Sequence, residues 1–229
     1  MRIVPGEPAL VLGGCLVVAD THVGFELELW RQGVKVPFQT DSMAQKILRL
    51  ARENGCDTVV FNGDLKHEIA VYRGRQEKEL ERFMATLQEQ VDLVFVQGNH
   101  DGGLRGEPHL QLGKFFVFHG HAYPPEEALG KIWITAHVHP HISFKDDFGK
   151  LVSLPVWIKG ESRSAGERYG RRVSTRIVVM PAFNTLRSGF SINTGEGKKG
   201  LLSLLDSYAV VLLDGVEVLK TDRLKATHG

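Results

Sequence analysis

Short apolar runs recur along this chain, and five of them end abruptly in side chains that carry chemistry. The runs are Cys15 to Ala19, Asp57 to Phe61, Val94 to Val96, Phe115 to Phe118 and Ile132 to Thr135. Their length and their β-branched and aromatic content predict buried strands. Helical spacing fills the gaps between the early runs. Gly24 to Gln32 carries Phe25 and Leu29 one turn apart, with Gly33 as the stop. A second helix starts at Asp41 as N-cap, buries Met43, Ile47, Leu50 and Ala51 on one face, and stops at Gly55. A third covers Gln76 to Gln90, with Leu80, Phe83, Met84 and Leu87 as its apolar stripe, which reads as core. Ahead of them, residues 1 to 14 are strand-like pieces broken by prolines and by the Gly13-Gly14 pair, which suits a hairpin.

Beyond residue 142 the alternation of strand and helix gives way to β-rich sequence. Val152 to Lys159 and Val173 to Met180 read as strands around a basic segment with Arg163, Arg168, Arg171 and Arg172. Residues 184 to 200 read as a loop rich in Gly, Asn, Ser and Lys. Val210 to Leu213 and Val216 to Leu219 flank Asp214-Gly215, a hairpin signal. No repeat, low-complexity linker or compositional break demands a second domain, so residues 1–229 are expected to form one α/β domain.

Composition changes this picture little. An apolar content of 42%, with 24% charged, is that of an ordinary soluble globular protein. A net charge of +1 gives no global argument for a nucleic acid or an acidic partner. Cys15 and Cys56 have no CxxC spacing and read as buried free thiols, which fits a reducing, cytoplasmic setting. No signal-peptide pattern and no run near the roughly 20 apolar residues of a membrane span is present.

The strand ends carry the chemistry. They deliver Asp20 and His22; Asp64; Asn99 and His100; His119; and His137 with His139. A single histidine after a strand is usually a packed or surface residue. Five repeats of the pattern point to a metal site at one sheet edge, where α/β proteins bind ligands. Carboxylate, imidazole and amide oxygen, without thiolate, suit Mn, Fe, Zn, Ni or Co, with Mn favoured. The donors are too many for one tetrahedral ion, so two divalent ions sharing a carboxylate are expected. Ions about 3.5–4 Å apart clamp the attacking and leaving oxygens at phosphorus and acidify a bridging water. Phosphate ester hydrolysis follows from the ligand chemistry.

Taken in order, Asp20-x-His22, Gly63-Asp64, Gly98-Asn99-His100-Asp101, His119-Gly120 and His137-x-His139 resemble the calcineurin-like metallophosphoesterase superfamily, across residues 20 to 139. The resemblance implies a four-layer α/β/β/α sandwich of two mixed β-sheets flanked by helices. It implies that Asp20, His22, Asp64 and His139 hold one ion. Asp64 would also bridge to the other, held with Asn99, His119 and His137. His100 would act on the phosphate or its leaving group, with Asp101 orienting it. One departure is visible: Ala136 stands where the family usually has glycine, and a slight backbone adjustment is expected. The stretches Ala19 to Gly24 and Gly63 to His67 are similar to those of archaeal single-domain phosphoesterases and of bacterial ones associated with DNA ligase and helicase genes. That implies a phosphodiester or nucleic acid substrate, DNA or RNA. The alternatives are a monoesterase for a small nucleotide or phosphoprotein, and a scaffold that keeps the fold without turnover.

Other histidines neighbour these motifs. His121 and His141 are expected in supporting or surface roles, His67 either near the site or in a loop, and His109 and His228 on the surface. The basic stretch Lys159 to Arg176 is expected as a solvated loop, or alternatively as a rim that follows a nucleic acid backbone.

Overall fold

The computed structural model describes residues 1–67, 74–187, 189–194 and 200–221. His228 lies outside them. Two sheets face each other. The first holds β1 (Arg2–Ile3), β2 (Ala9–Leu12), β3 (Cys15–Val18), β4 (Thr58–Asn62) and β5 (Asp92–Val96), side by side in that order. Strands β1, β2 and β3 pair antiparallel, with Gly13-Gly14 as the expected turn, whereas β3, β4 and β5 are parallel. Parallel neighbours need long crossovers, and helices supply them. These are α1 (Phe25–Arg31) and α2 (Thr40–Glu53) after β3, and α3 (Arg75–Gln88) after β4.

All three predicted helices are present, but the N-cap of α2 is Gln39, two residues before the expected Asp41. Asp41 does not cap it; the carboxylate instead accepts from the guanidinium of Arg82 on α3, with Nε at 2.6 Å. Strand pleating then sorts the side chains. Leu16, Val18, Val59 and Phe61 pack outward against Met43, Ile47, Phe83 and Leu87 of the helices. Val17, Ala19, Val60 and Val96 face the second sheet.

That second sheet contains β6 (Leu110–Leu112), β7 (Phe115–Val117), β8 (Ile132–Thr135), β9 (Pro140–Lys145), β10 (Leu151–Ser162), β11 (Thr175–Val179), β12 (Phe190–Ser191), β13 (Ser207–Leu212) and β14 (Glu217–Thr221). Its order is β12-β9-β10-β11-β8-β7-β6, with β13 on β10 and β14 on β13. Strands β7, β8 and β11 run parallel; most of the other pairs are antiparallel. Val117, Ile134, Trp157, Val178 and Val211 meet the first sheet in a core between the two. The outer face buries Phe116, Trp133, Ile177 and Val179 under 3-10 turns at Glu126–Ala128, Ser164–Tyr169 and Gly200–Leu204. The expected layering is present, but the outermost cover on this side is 3-10 rather than α. Antiparallel neighbours can be joined by turns, and Gly166 and Gly170 interrupt the longest covering segment.

Arg168 stacks 4.8 Å from the Tyr123 ring centroid, and Arg171 pairs with Glu126 at 3.0 Å. Tyr123 packs on the outer face of the second sheet and also lines a pocket with Gly98, His119 and His121. Cys15 and Cys56 are free thiols; Cys56 is buried and Cys15 partly exposed. No described helix is long and apolar enough to cross a membrane.

Candidate metal centre

Because β3, β4 and β5 are parallel, their C-terminal ends share one edge, and the parallel pair β7 and β8 bring theirs to the same place. Backbone hydrogen bonds lock the loops that follow. Asp20 N donates to Gly63 O at 3.1 Å and His22 N to Asp64 O at 2.9 Å. Ala136 N donates to His119 O at 2.8 Å. Across the sheets, His119 Nδ1 donates to Asn62 O at 3.0 Å. Three groups of side chains result among the described residues: Asp20 with His22 and His139, Asp64 with His119 and His137, and His22 with His67 and His100. Within each, the ligand-capable atoms lie within 4.8 Å of one another.

The backbone is bent to make this possible. Asp20, His22, Asp64, His137 and His139 have φ of 54°, 42°, 49°, 71° and 42°. Among the described residues these are the non-glycine positions with positive φ. Each such residue costs of order 1–3 kcal/mol and persists where the surroundings over-determine it. Strain of this kind, confined to five donors at one edge, marks a site rather than a packing accident. Two glycines allow the close approach. A Cβ at Gly98 would sit 2.2 Å from Asp64 Oδ1, and one at Gly63 would sit 2.2 Å from His119 Nδ1.

Asp64 stands between the groups. Its Oδ2 is 3.3 Å from His119 Nε2 and 3.7 Å from His22 Nε2. His139 Nε2 is 3.2 Å from Asp20 Oδ1 and 3.3 Å from His22 Nε2. Ligands bound at about 2.0–2.2 Å with tetrahedral or octahedral angles stand about 3–3.5 Å apart, so these spacings fit a shared ion. Orphaned atoms agree. Asp20 Oδ1, Asn99 Oδ1, His119 Nε2 and His137 Nδ1 are buried without a hydrogen-bond partner. With Nδ1 donating to a carbonyl, His119 points Nε2 at Asp64, the ring atom that would ligate an ion.

Charges here oppose burial. Burial works against a charged His119, but the Asp64 hydrogen bond and the Asp20 and Asp64 charges hold its pKa up at about 9. Burial outweighs the same carboxylates at His22, taking it to about 3, and with the His119 charge takes His137 to about 4. Asp64 is buried too, yet His119 and the His100 backbone N–H hold its carboxyl below the usual range.

His100 lies beside this centre, with Nε2 3.9 Å from Asp64 Oδ2. Its Nδ1 hydrogen-bonds the carbonyl oxygen of His67. A carbonyl only accepts, so Nδ1 carries a proton and Nε2 faces the site. Asp101, expected to orient this ring, acts elsewhere. Its Oδ1 accepts from Leu65 N at 2.8 Å and Lys66 N at 3.3 Å, and its Oδ2 from Gly98 N at 2.8 Å. A carboxylate is the acceptor that can satisfy several amides at once, and here it ties the Asp64 loop to the Asn99 loop. Burial pushes the Asp101 carboxyl up, against those amides. The orienting group for His100 is therefore a backbone carbonyl, which residue types do not reveal.

His67 comes to the site: its ring stacks 5.7 Å from His100 and meets His22 edge-on at 5.6 Å. His121 is exposed, its ring 5.4 Å from His119, and His141 is buried with Nδ1 bonded to His139 O at 2.8 Å. His109 pairs with Glu127 at 2.9 Å. Ala136 is 2% exposed in the core between the sheets, so its methyl is accommodated. Sequence reasoning missed Asn184, which donates to Thr21 O at 3.0 Å and steadies the Asp20 turn. It stands in a stretch whose composition signals only a loop.

By fold, the chain is similar to Pseudomonas putida nuclease MPE, with a TM-score of 0.52 at 17% identity over 86% of this chain and 83% of that one. Yfce, a phosphoesterase from E. coli, gives a TM-score of 0.41 at 14% identity over 90% of this chain and 97% of that one. No curated protein matches by sequence. Residues 15–159, which span all five strand-end blocks, match the family described as Calcineurin-like phosphoesterase, and the chain belongs to it.

Proposed function

We propose that this protein is a dimetal phosphoesterase that prefers phosphodiesters, with a nucleotide or nucleic acid, DNA or RNA, as substrate. The placement of Asp64, within 3.7 Å of a candidate ligand from each group, carries the reading. Asp20, His22, Asp64 and His139 would hold one ion, and Asp64, Asn99, His119 and His137 the other. The oxygen and nitrogen donors suit Mn first, with Zn, Fe, Ni or Co also compatible. When bound, the pair supplies an acidified water and a clamp on the phosphate oxygens.

The chain's own residues do the rest. His100 holds a proton at Nδ1 against the His67 carbonyl, so a second proton on Nε2, present in the imidazolium form, is the one it would give to a phosphate or leaving oxygen. Asp101 keeps the two ligand loops in register. The diester preference draws on two supports: no cap-sized insertion separates the motif blocks, which leaves room for a polymer, and the fold is shared with a protein named a nuclease. The two free thiols suit a reducing, cytoplasmic setting.

The test is hydrolysis of bis-p-nitrophenyl phosphate and p-nitrophenyl phosphate, each with Mn, Ni, Co, Zn and Mg. Metal-dependent turnover that is faster on the diester is the expected result. Faster monoester turnover would favour the small-nucleotide or phosphoprotein alternative. Two bound ions with turnover of neither would favour a scaffold.

A further inference from the structure

After β11 the chain passes beneath the candidate centre and places a cation beside it. Phe183 N donates to Ala19 O at 2.8 Å and Asn184 N to Asp20 O at 3.3 Å. Asn184 Oδ1 accepts from Leu186 N at 2.9 Å, and Arg187 N donates to Asn184 O at 3.3 Å. This turn is fixed to the segment that bears Asp20 and His22. The guanidinium of Arg187 stands 5.4 Å from the centroid of the Phe25 ring. That ring meets His67 edge-on at 4.9 Å, and His67 adjoins both His22 and His100.

Nothing in the described chain satisfies this guanidinium. Its Nε is buried without a hydrogen-bond partner. Among the described residues no carboxylate stands within ion-pair distance of it. A cation–π contact with Phe25 holds the group in place but leaves its Nε–H unmet. A buried cationic donor without an acceptor is costly, and a planar guanidinium matches phosphate oxygens two at a time.

We propose that Arg187 grips non-bridging oxygens of the phosphate group bound at the strand-end site, from the side where His22 and His67 stand. The assignment rests on the phosphoesterase reading above. It makes Arg187 a substrate-binding residue that reaches the site from outside the motif blocks.

Inorganic phosphate is the probe. Binding to the metal-loaded protein is followed by calorimetry, and inhibition of bis-p-nitrophenyl phosphate hydrolysis is followed alongside, for the native protein, Arg187→Ala, Arg187→Gln and Arg187→Lys. Arg187→Ala and Arg187→Gln should weaken phosphate binding and raise KM by about 10–100-fold, the loss of a charge-assisted bidentate contact. Metal content should stay as in the native protein. Added guanidinium ion should restore part of the loss in Arg187→Ala, and Arg187→Lys should retain part. Phosphate affinity unchanged in Arg187→Ala, or a loss that guanidinium does not restore, overturns the assignment, as does a metal-loaded native protein that binds no phosphate. A native protein that binds phosphate through Arg187 yet hydrolyses no ester would end the phosphoesterase reading alone. Hydrolysis with Arg187-independent phosphate binding would end the Arg187 assignment alone.

Discussion

The two sheets contribute different chemistry to the candidate centre. The first supplies both carboxylates, the Asn99 amide, His22 and His100. The second supplies only imidazoles, His119, His137 and His139. Two groups cross between the sheets: His139 completes Asp20 and His22, and Asp64 completes His119 and His137; a third, His22 with His67 and His100, stands on the first sheet alone. The two groups that contain a carboxylate thus exist where the sheets meet, over the core that joins Val17 and Val60 to Ile134 and Val178. The lesson is that metal binding and sheet packing are one problem here. The carboxylates come from parallel strands braced by helices, and the sheet covered by 3-10 turns adds imidazoles alone.

Predictions follow from this division of labour. His100 is the first-sheet residue assigned to proton transfer rather than ligation. His100→Ala should lower turnover by about 10²–10⁴-fold, with metal content near that of the native protein. Loss of metal in that variant, read by elemental analysis, would move His100 among the ligands. If the ions tie the sheets together, removing them should loosen the sandwich. At free metal near 100 times its Kd, linkage contributes about 2.7 kcal/mol. For a domain of this size each kcal/mol moves Tm by about 2–4 °C. Chelation should therefore lower Tm by about 5–10 °C in a thermal melt. An unchanged Tm after confirmed metal removal would mean that the sheets hold without the centre.

Asp101 braces loops within the first sheet alone. Asp101→Asn replaces one acceptor oxygen with a donor that faces backbone N–H groups, so activity or metal affinity should fall by about 10–100-fold. No change in either would make the brace incidental. The smallest effect is expected on the outer face of the second sheet. Reversing charge at Arg168, Arg171 and Arg172 should leave diester hydrolysis and its salt dependence unchanged, since Arg168 and Arg171 are occupied by Tyr123 and Glu126. A weakened salt dependence on a DNA or RNA substrate would restore the basic stretch to the substrate path.

Much of this was legible in the sequence, for reasons that can be named. Apolar runs such as Phe115 to Phe118 declare a buried strand, and the side chain after them declares the edge where chemistry collects. Met43, Ile47 and Leu50 give α2 its face. The left-handed backbone at Asp20, His22, Asp64, His137 and His139 was not legible, because φ at a non-glycine residue is set by tertiary contacts and leaves no compositional trace. The partner of His100 is a carbonyl, which every residue carries. Strand β9 begins at Pro140, a residue that discourages a strand reading, and is held in place by β10. Asn184 and Arg187 sit in a stretch whose glycines and serines speak only of loop. Their roles come from hydrogen bonds to Thr21 and packing on Phe25, contacts between residues more than 150 positions apart in sequence.

The most direct test counts metal in the native protein and in Asp64→Ala, purified and loaded alike. Two ions per chain in the native protein, falling below one in Asp64→Ala with loss of diester hydrolysis, is the result that a shared carboxylate between the sheets predicts. One ion per chain in both proteins would contradict a dinuclear centre built on Asp64.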